Sequence, residues 1–215
     1  MNKILIIGYQ HSGTTLLCGL FQAHPQVSRL YNEAGLVEFN KPMEEMEHIV
    51  SDEVYPGGNK DWAWGDKIPW IDGKGTRIIN LSKLWLKYFK KKGRIVHILR
   101  HPLDVSLSIN PSIKKDLELI HSSMPIVIDY INSEKRATTI LYEDLVLLPR
   151  ETLSKLYSFC GLAISEKILN RILNKEFKFG KMGSVKSQSR AYAYKNKISI
   201  QPLSDNYEYL INMIK

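Results

Sequence analysis

Residues Lys3 to Leu17, KILIIGYQHSGTTLL, decide the fold of this chain. The stretch begins with a short apolar run that ends at Gly8, continues through a polar loop and becomes apolar again at Leu16. Such a run is typical of a buried parallel strand, and the helical spacing after Gly13 predicts a strand, a loop and a helix. Because glycine lets the backbone curl so that successive N–H groups face one anion, the spacing of Gly8 and Gly13 predicts a phosphate-binding loop at a helix N-terminus.

The loop departs from the GxxxxGK[ST] pattern of nucleotide triphosphatases at Thr14, where that pattern has lysine. The following residue, Thr15, keeps the hydroxyl of the pattern. Because the missing lysine is the cation that reaches the terminal phosphates of ATP or GTP, transfer of a γ-phosphate is disfavoured. The loop still predicts an anion site. A P-loop kinase, which needs that lysine and magnesium, is the alternative enzyme.

Two consecutive segments, HSGTTLL and AHPQV, carry a resemblance to a known family. Their order resembles the opening of sulfotransferases that use 3′-phosphoadenosine 5′-phosphosulfate (PAPS), and the style of the motifs is closest to the bacterial and protein-tyrosine branches. The resemblance implies that the loop holds the 5′-phosphosulfate of the donor through His11, Ser12, Gly13, Thr14 and Thr15. His11 stands where the family usually has lysine or arginine, and a histidine is only partly charged near neutral pH.

A second segment, RHPLDVSLS, follows an apolar run that ends at Leu99. It resembles the RxPxDxxxS segment of the same family, which implies that Arg100 and Ser108 bind the 3′-phosphate of the nucleotide. The planar fork of an arginine suits two phosphate oxygens at once. The alternative is that Arg100 pairs with Asp104 and that Ser108 is a surface hydroxyl.

A third segment, LYEDLV, begins at Leu141 and resembles the YEDL strand end of the family, where its role is largely structural. Further along, residues 180–190 form a basic stretch of small residues. The resemblance implies that a loop in this region closes over the nucleotide, so Ser184, Lys186 or Arg190 is expected to reach the 3′-phosphate or the sulfuryl group. A surface loop is equally consistent with this stretch.

Sulfuryl transfer needs a base for the acceptor hydroxyl and cations for the charge that develops on the transferring and leaving groups. The resemblance implies that Glu33 is the base, although Glu33 could equally begin a helix. It also implies that Lys67, in a K-x-P segment expected at a strand end, is a catalytic cation, with His11 as a second cation. A surface lysine in a salt bridge is the alternative for Lys67, and no metal is required.

The rest of the chain alternates between strand and helix patterns. Strands are expected at residues 62–66, 94–99 and 138–142, and helices are expected from about Ser82, from Pro102 and over residues 149–160. This alternation predicts an α/β fold, a parallel sheet of the P-loop NTPase type with helices on both faces, in a single domain spanning residues 1–215. Ligands bind beyond the carboxyl ends of such strands, where Gly8, Asp66, Arg100 and Tyr142 are expected.

The composition, with 44% hydrophobic and 24% charged residues, is that of a globular protein. The net charge of +8 suits a polyanionic nucleotide and favours an anionic acceptor such as an acidic glycan or peptide. The basic cluster from Lys87 to Arg94 is interpreted as a helix end with Gly93 as its C-cap, so no nucleic-acid partner is expected. Cys18 and Cys160 fall within apolar helical patterns, which indicates reduced core cysteines.

No stretch approaches the ~20 apolar residues of a membrane span, so we expect no membrane span and a cytoplasmic location. The sequence leaves the oligomeric state and the acceptor open. It predicts a sulfotransferase that moves the sulfuryl group of PAPS to a hydroxyl-bearing acceptor and releases adenosine 3′,5′-bisphosphate (PAP). A degenerate nucleotide-binding protein is the non-enzymatic alternative, because His11 replaces the usual cation.

Overall fold

The structure is a computed structural model of the chain. It describes residues 2–32, 63–70, 75–109, 113–177 and 180–182, together with Ser184, Gln188 and Ala191. For residues 28–32, 63–70, 106, 107, 109, 113–121, 180 and 181 it describes the backbone alone.

Strands and helices alternate along most of the described chain. The strands are β1 (Lys3–Tyr9), β2 (Val27–Asn32), β3 (Ala63–Trp70), β4 (Gly93–Leu99), β5 (Ala137–Leu141) and the two-residue strands β6 (Glu176–Phe177) and β7 (Gly180–Lys181). The α-helices are α1 (Thr14–Gln22), α2 (Thr76–Phe89), α3 (Pro102–Ile109), α4 (Ile113–Ser133), α5 (Tyr142–Leu147), α6 (Pro149–Phe159) and α7 (Glu166–Leu173).

The first five strands form one sheet in the order β2-β3-β1-β4-β5, and every pair in it is parallel. β1 therefore lies at the centre of the sheet, and its residues from Ile4 to Ile7 are fully buried. Residues of alternate parity in β1 and β4 belong to two separate hydrophobic clusters, one on each face of the sheet. Helices α2 and α4 cover one face, while α1, α5, α6 and α7 cover the other. The predicted α/β class and the helices on both faces are confirmed.

Several local expectations differ from the structure. The helix expected from about Ser82 begins six residues earlier, at Thr76. β2 lies in a stretch that had no predicted strand. β3 extends to Trp70, beyond the predicted strand end at Asp66. Gly93 is not the C-cap of α2: α2 ends at Phe89 and a short 3₁₀ turn over Lys90–Lys92 follows. Gly93 caps that turn in an extended conformation and begins β4.

The two cysteines are buried free thiols, as predicted. Among the described residues, no helix is both long enough and apolar enough to cross a membrane.

Candidate active site

The loop between β1 and α1 joins the carboxyl end of the central strand to a helix N-terminus. His11 and Gly13 both adopt positive φ angles, 65° and 106°, and the N–H of Ser12 donates to the carbonyl of Tyr9 over 2.9 Å. Gly13 is the N-cap of α1, and the first turn of the helix contains no acidic residue. The first N–H groups of a helix have no intrahelical acceptor, so this end of α1 attracts anions. The predicted strand, loop and helix are thus present.

The curl of the loop has room for glycine alone at Gly8. A Cβ atom added there would lie 2.5 Å from Ser12 Oγ and 2.8 Å from the methyl groups of Thr14 and Ile98. Ser12 is fully buried inside this curl, and its Oγ has no hydrogen-bond partner within the part of the chain that the structure describes. A tight backbone curl around a buried hydroxyl at a helix N-terminus fits a phosphate group.

Tyr142, at the start of α5, joins the loop to the end of β4. A Cβ atom on Gly13 would lie 2.5 Å from Cδ2 of the Tyr142 ring, so the ring packs directly against the loop. The guanidinium carbon of Arg100 lies 4.5 Å from the centre of the same ring, within the range of a cation–π contact. The ring therefore holds Gly13 and Arg100 in fixed relative positions. The resemblance implied a largely structural role for this segment, whereas the rule about the carboxyl ends of parallel strands placed Tyr142 at this edge.

Arg100 and Ser108 both contact His11 of the loop. Nη1 of Arg100 donates to the carbonyl oxygen of His11 over 3.2 Å. Ser108 Oγ and His11 Nδ1 are 2.9 Å apart and form a hydrogen bond whose donor depends on the tautomer of the ring. The two segments singled out in the sequence, separated by about ninety residues, therefore meet at one edge of the sheet.

The surroundings of His11 favour its uncharged ring. Partial burial of the ring lowers its pKa below the ordinary value of 6.5, and the nearby positive charge of Arg100 lowers it further. A bound dianion would oppose both effects and favour the protonated ring. Arg100 contributes its guanidinium at the same edge.

The turn that holds Arg100 is itself anchored to the end of β5. The backbone N–H of His101 donates to Oε1 of Glu143 over 2.9 Å, and the Glu143 side chain is fully buried. Nδ1 of His101 accepts a hydrogen bond from the N–H of Leu103, in the first turn of α3. Glu143 and His101 are positioning residues, because they fix the backbone on both sides of the β4–α3 turn.

The other predicted site residues are only partly described. Lys67 is paired with Ile6 of β1 and with Asn32 of β2. The expectation that Lys67 lies at a strand end is wrong, because β3 continues for three more residues to Trp70. Asn32, the last residue of β2, directly precedes Glu33, and Glu33 itself lies outside the described residues.

In the C-terminal segment, the carbonyl of Ser184 accepts a hydrogen bond from the N–H of Gln188, and the Ser184 side chain is half-buried. Lys186 and Arg190 lie outside the described residues. The described residues therefore unite His11, Ser12, Gly13, Thr14, Thr15, Arg100 and Ser108 in one place, and leave the predicted C-terminal contacts as predictions.

No protein-family model and no curated protein sequence matches the chain. Solved structures do match it over nearly its whole length. The sulfotransferase domain of the Synechococcus PCC 7002 olefin synthase has a TM-score of 0.64 at 17% identity, over 100% of this chain and 95% of that one. The sulfotransferase domain of the curacin biosynthetic pathway has a TM-score of 0.63 at 17% identity, over 98% of this chain and 96% of that one.

The chain has a sulfotransferase fold. A mouse sulfotransferase complexed with PAP also matches, with a TM-score of 0.60 at 14% identity, over 98% of this chain and 82% of that one. The sulfotransferase fold was expected from the loop after β1 and from the RHPLDVSLS segment, and these are the two segments that the structure brings together around His11.

Proposed function

We propose that the chain is a sulfotransferase that moves the sulfuryl group of PAPS to a hydroxyl of an acceptor and releases PAP. The observation that supports this most strongly is the convergence of Arg100 and Ser108 on His11 of the loop. The loop suits one phosphate and the arginine suits another, which is the pattern that a nucleotide with separate 5′ and 3′ phosphates requires. The solved mouse relative of the same fold is complexed with PAP, which agrees with this assignment.

The donor site consists of two groups of residues. The backbone of Ser12, Gly13, Thr14 and Thr15 and the N-terminus of α1 bind the 5′-phosphosulfate. Arg100 and Ser108 bind the 3′-phosphate, with Ser184, Lys186 or Arg190 completing this part of the site from the C-terminal segment. When bound, the donor supplies a sulfuryl group attached to a phosphate leaving group.

The catalytic groups are Glu33, Lys67 and His11. The Glu33 carboxylate takes the proton from the acceptor hydroxyl, which makes its oxygen a better nucleophile. Lys67 and the protonated ring of His11 stabilise the negative charge of the transferring and leaving groups. The pairing of Lys67 with Asn32, the residue before Glu33, supports a common location for the base and the cation on the β2–β3 side of the loop.

The acceptor is a hydroxyl-bearing molecule, and the net charge of +8 favours an anionic one such as an acidic glycan or peptide. A kinase reaction is disfavoured by Thr14, which occupies the position of the lysine that reaches the terminal phosphates of ATP.

Titration calorimetry with PAP tests the donor site by comparing two alanine variants, one of Arg100 at the loop end of β4 and one of Arg94 near its other end. Arg100→Ala removes the guanidinium beside the loop, so we expect the affinity for PAP to fall by about tenfold to a hundredfold, the range for a hydrogen bond to a charged group. The matched control is Arg94→Ala. Arg94 lies near the opposite end of β4 and donates to the carbonyls of Lys91, Gly93 and Phe159.

The control variant should bind PAP as the wild type does, because its arginine is a whole strand away from the loop. Equal affinities in the Arg100→Ala variant and the wild type would contradict the assignment of Arg100. No binding of PAP by the wild-type chain would contradict the proposed function as a whole.

A further inference from the structure

Within the part of the chain that the structure describes, the outer edge of β5 has no neighbouring strand. β5 ends the sheet and pairs with β4, and no other strand of the described residues lies beside it. The N–H of Ile95 donates to the carbonyl of Arg136, so the peptide groups of Thr138 and Ile140 face β4. The N–H and carbonyl of Thr139 and the N–H of Leu141 face outward, while the carbonyl of Leu141 caps α5. All five residues of β5 are partly exposed. A row of outward peptide groups is a template for a further strand.

The sequence of this edge has none of the features that usually protect one. Natural edge strands carry lysine, proline or a bulge that discourages pairing. β5 reads ATTIL, with no charge and no proline, and its register with β4 is regular throughout. Three of its five residues, Thr138, Thr139 and Ile140, are β-branched and favour strand pairing.

A groove of mixed character runs beside this edge, on the α6 face of the sheet. Its volume is about 290 Å³. Its apolar walls include Ile140 of the strand and Leu148, Leu156 and Phe159 of the helical side, and the charged residues Asp144, Glu151 and Lys155 also line it. Leu148 is 55% exposed, and the neighbouring Leu147 is 40% exposed. The edge therefore offers both main-chain hydrogen bonds and adjoining apolar surface, the two components of strand-addition interfaces.

The charges at the two ends of β5 identify the occupant. Exposed Lys135 precedes the strand, between the ion-paired Glu134 and Arg136, whose charges offset each other, and exposed Asp144 follows it in the first turn of α5. An antiparallel copy of the same strand places the basic end of one chain beside the acidic end of the other, twice, whereas a parallel copy would place like charges together. Two antiparallel copies of the edge therefore present opposite charges to each other, and such self-complementarity is required of a twofold interface.

We propose that two copies of this chain associate through antiparallel pairing of β5 with β5, which joins their sheets into one and covers Leu147 and Leu148. β1 and its loop are separated from this edge by β4, so each copy keeps its own loop accessible.

Sedimentation equilibrium of the wild-type chain tests the proposal. We expect the mass to rise with concentration from that of one chain, 24.8 kDa, towards twice that value. Leu148→Glu puts a charge on the covered surface, so we expect it to weaken association by about tenfold or more. The matched control is Ile126→Glu. Ile126 is 49% exposed on α4, which packs on the other face of the sheet, and this variant should associate as the wild type does.

A charge exchange tests the direction of pairing. Lys135→Glu and Asp144→Lys each place like charges together and should weaken association, whereas the variant carrying both changes restores opposite charges and should recover it. Circular dichroism of every variant checks that it is folded. A single-chain mass at all concentrations overturns the proposal, and so does an association that Leu148→Glu leaves unchanged or that the double exchange does not recover.

Discussion

At the scale of single residues, the site depends on contacts that a sequence pattern indicates only in part. The glycine spacing predicted the curl at Gly8 and Gly13, because only a residue without Cβ fits there. The sequence showed that His11 replaces a lysine or arginine, but it could not show whether the ring is charged. That depends on the burial of the ring and on Arg100, which is distant in sequence and adjacent in space.

The charge state of His11 predicts a pH-dependent affinity for PAP. In the free protein the pKa of His11 lies below 6.5, and a dianionic phosphate raises it, so binding takes up a proton. The affinity should therefore increase as the pH is lowered from 8.5 to 6.5, by less than tenfold if the pKa rises by one unit on binding, because the full tenfold is reached only below both pKa values. Titration calorimetry at several pH values measures this effect, and buffers of different ionisation enthalpy reveal the proton uptake.

His11→Arg serves as the matched control for this experiment. Its guanidinium stays charged throughout the range, so its affinity should be nearly constant and at least as high as that of the wild type at pH 8.5. If His11→Gln keeps the pH dependence of the wild type, the proton belongs to another group and the assignment to His11 is wrong.

At the scale of elements, the central β1–loop–α1 unit was predictable because its apolar run and its glycines both indicate the same local structure. Other elements were not. β2 has the polar sequence VSRLYN, and its place in the sheet comes from parallel pairing with β3. The end of α2 was misassigned because Lys90, with a φ of 46°, makes the turn that a glycine was expected to make.

β4 contains a buried histidine that makes the free energy of unfolding depend on pH. His97 is fully buried, its Nδ1 is hydrogen-bonded to Thr139 Oγ1 over 3.0 Å, and burial lowers its pKa to about 3. The unfolded chain binds a proton near pH 6.5, and the folded chain does not. The contribution of His97 to the free energy of unfolding should therefore be largest above pH 6.5. It should decrease as the pH is lowered, with a slope of up to ~1.4 kcal/mol per pH unit.

Urea denaturation between pH 7 and pH 5.5 measures this slope. His97→Leu removes the titrating group and should flatten the dependence, even if it changes the absolute stability. His24→Gln is a useful comparison, because burial also lowers the pKa of His24, but its ring accepts a hydrogen bond from the N–H of Gln26 and donates to the carbonyl of Ala163, and the second bond raises the pKa. An unchanged slope in the His97→Leu variant would show that other groups govern the acid sensitivity of the fold.

At the scale of the whole molecule, the fold class followed from the alternation of strands and helices, and the site followed from a rule about the carboxyl ends of parallel strands. The order of the strands could not be predicted, because it depends on which strands, distant from one another in the sequence, form hydrogen bonds. It is this order that brings Arg100 and Tyr142 beside the loop and places Lys67 on the other side of β1. The site residues were thus predicted by resemblance, and their mutual contacts required the structure.

Thermal unfolding in the presence of three nucleotides tests most directly whether the protein binds a donor with a 3′-phosphate. We predict that PAP raises the unfolding midpoint, since a ligand at a hundred times its dissociation constant stabilises a protein by about 2.7 kcal/mol. Adenosine 5′-monophosphate, which lacks the group assigned to Arg100 and Ser108, should give a much smaller rise at the same concentration, and magnesium-ATP should give no comparable one. Stabilisation by magnesium-ATP alone would contradict the account and favour a kinase.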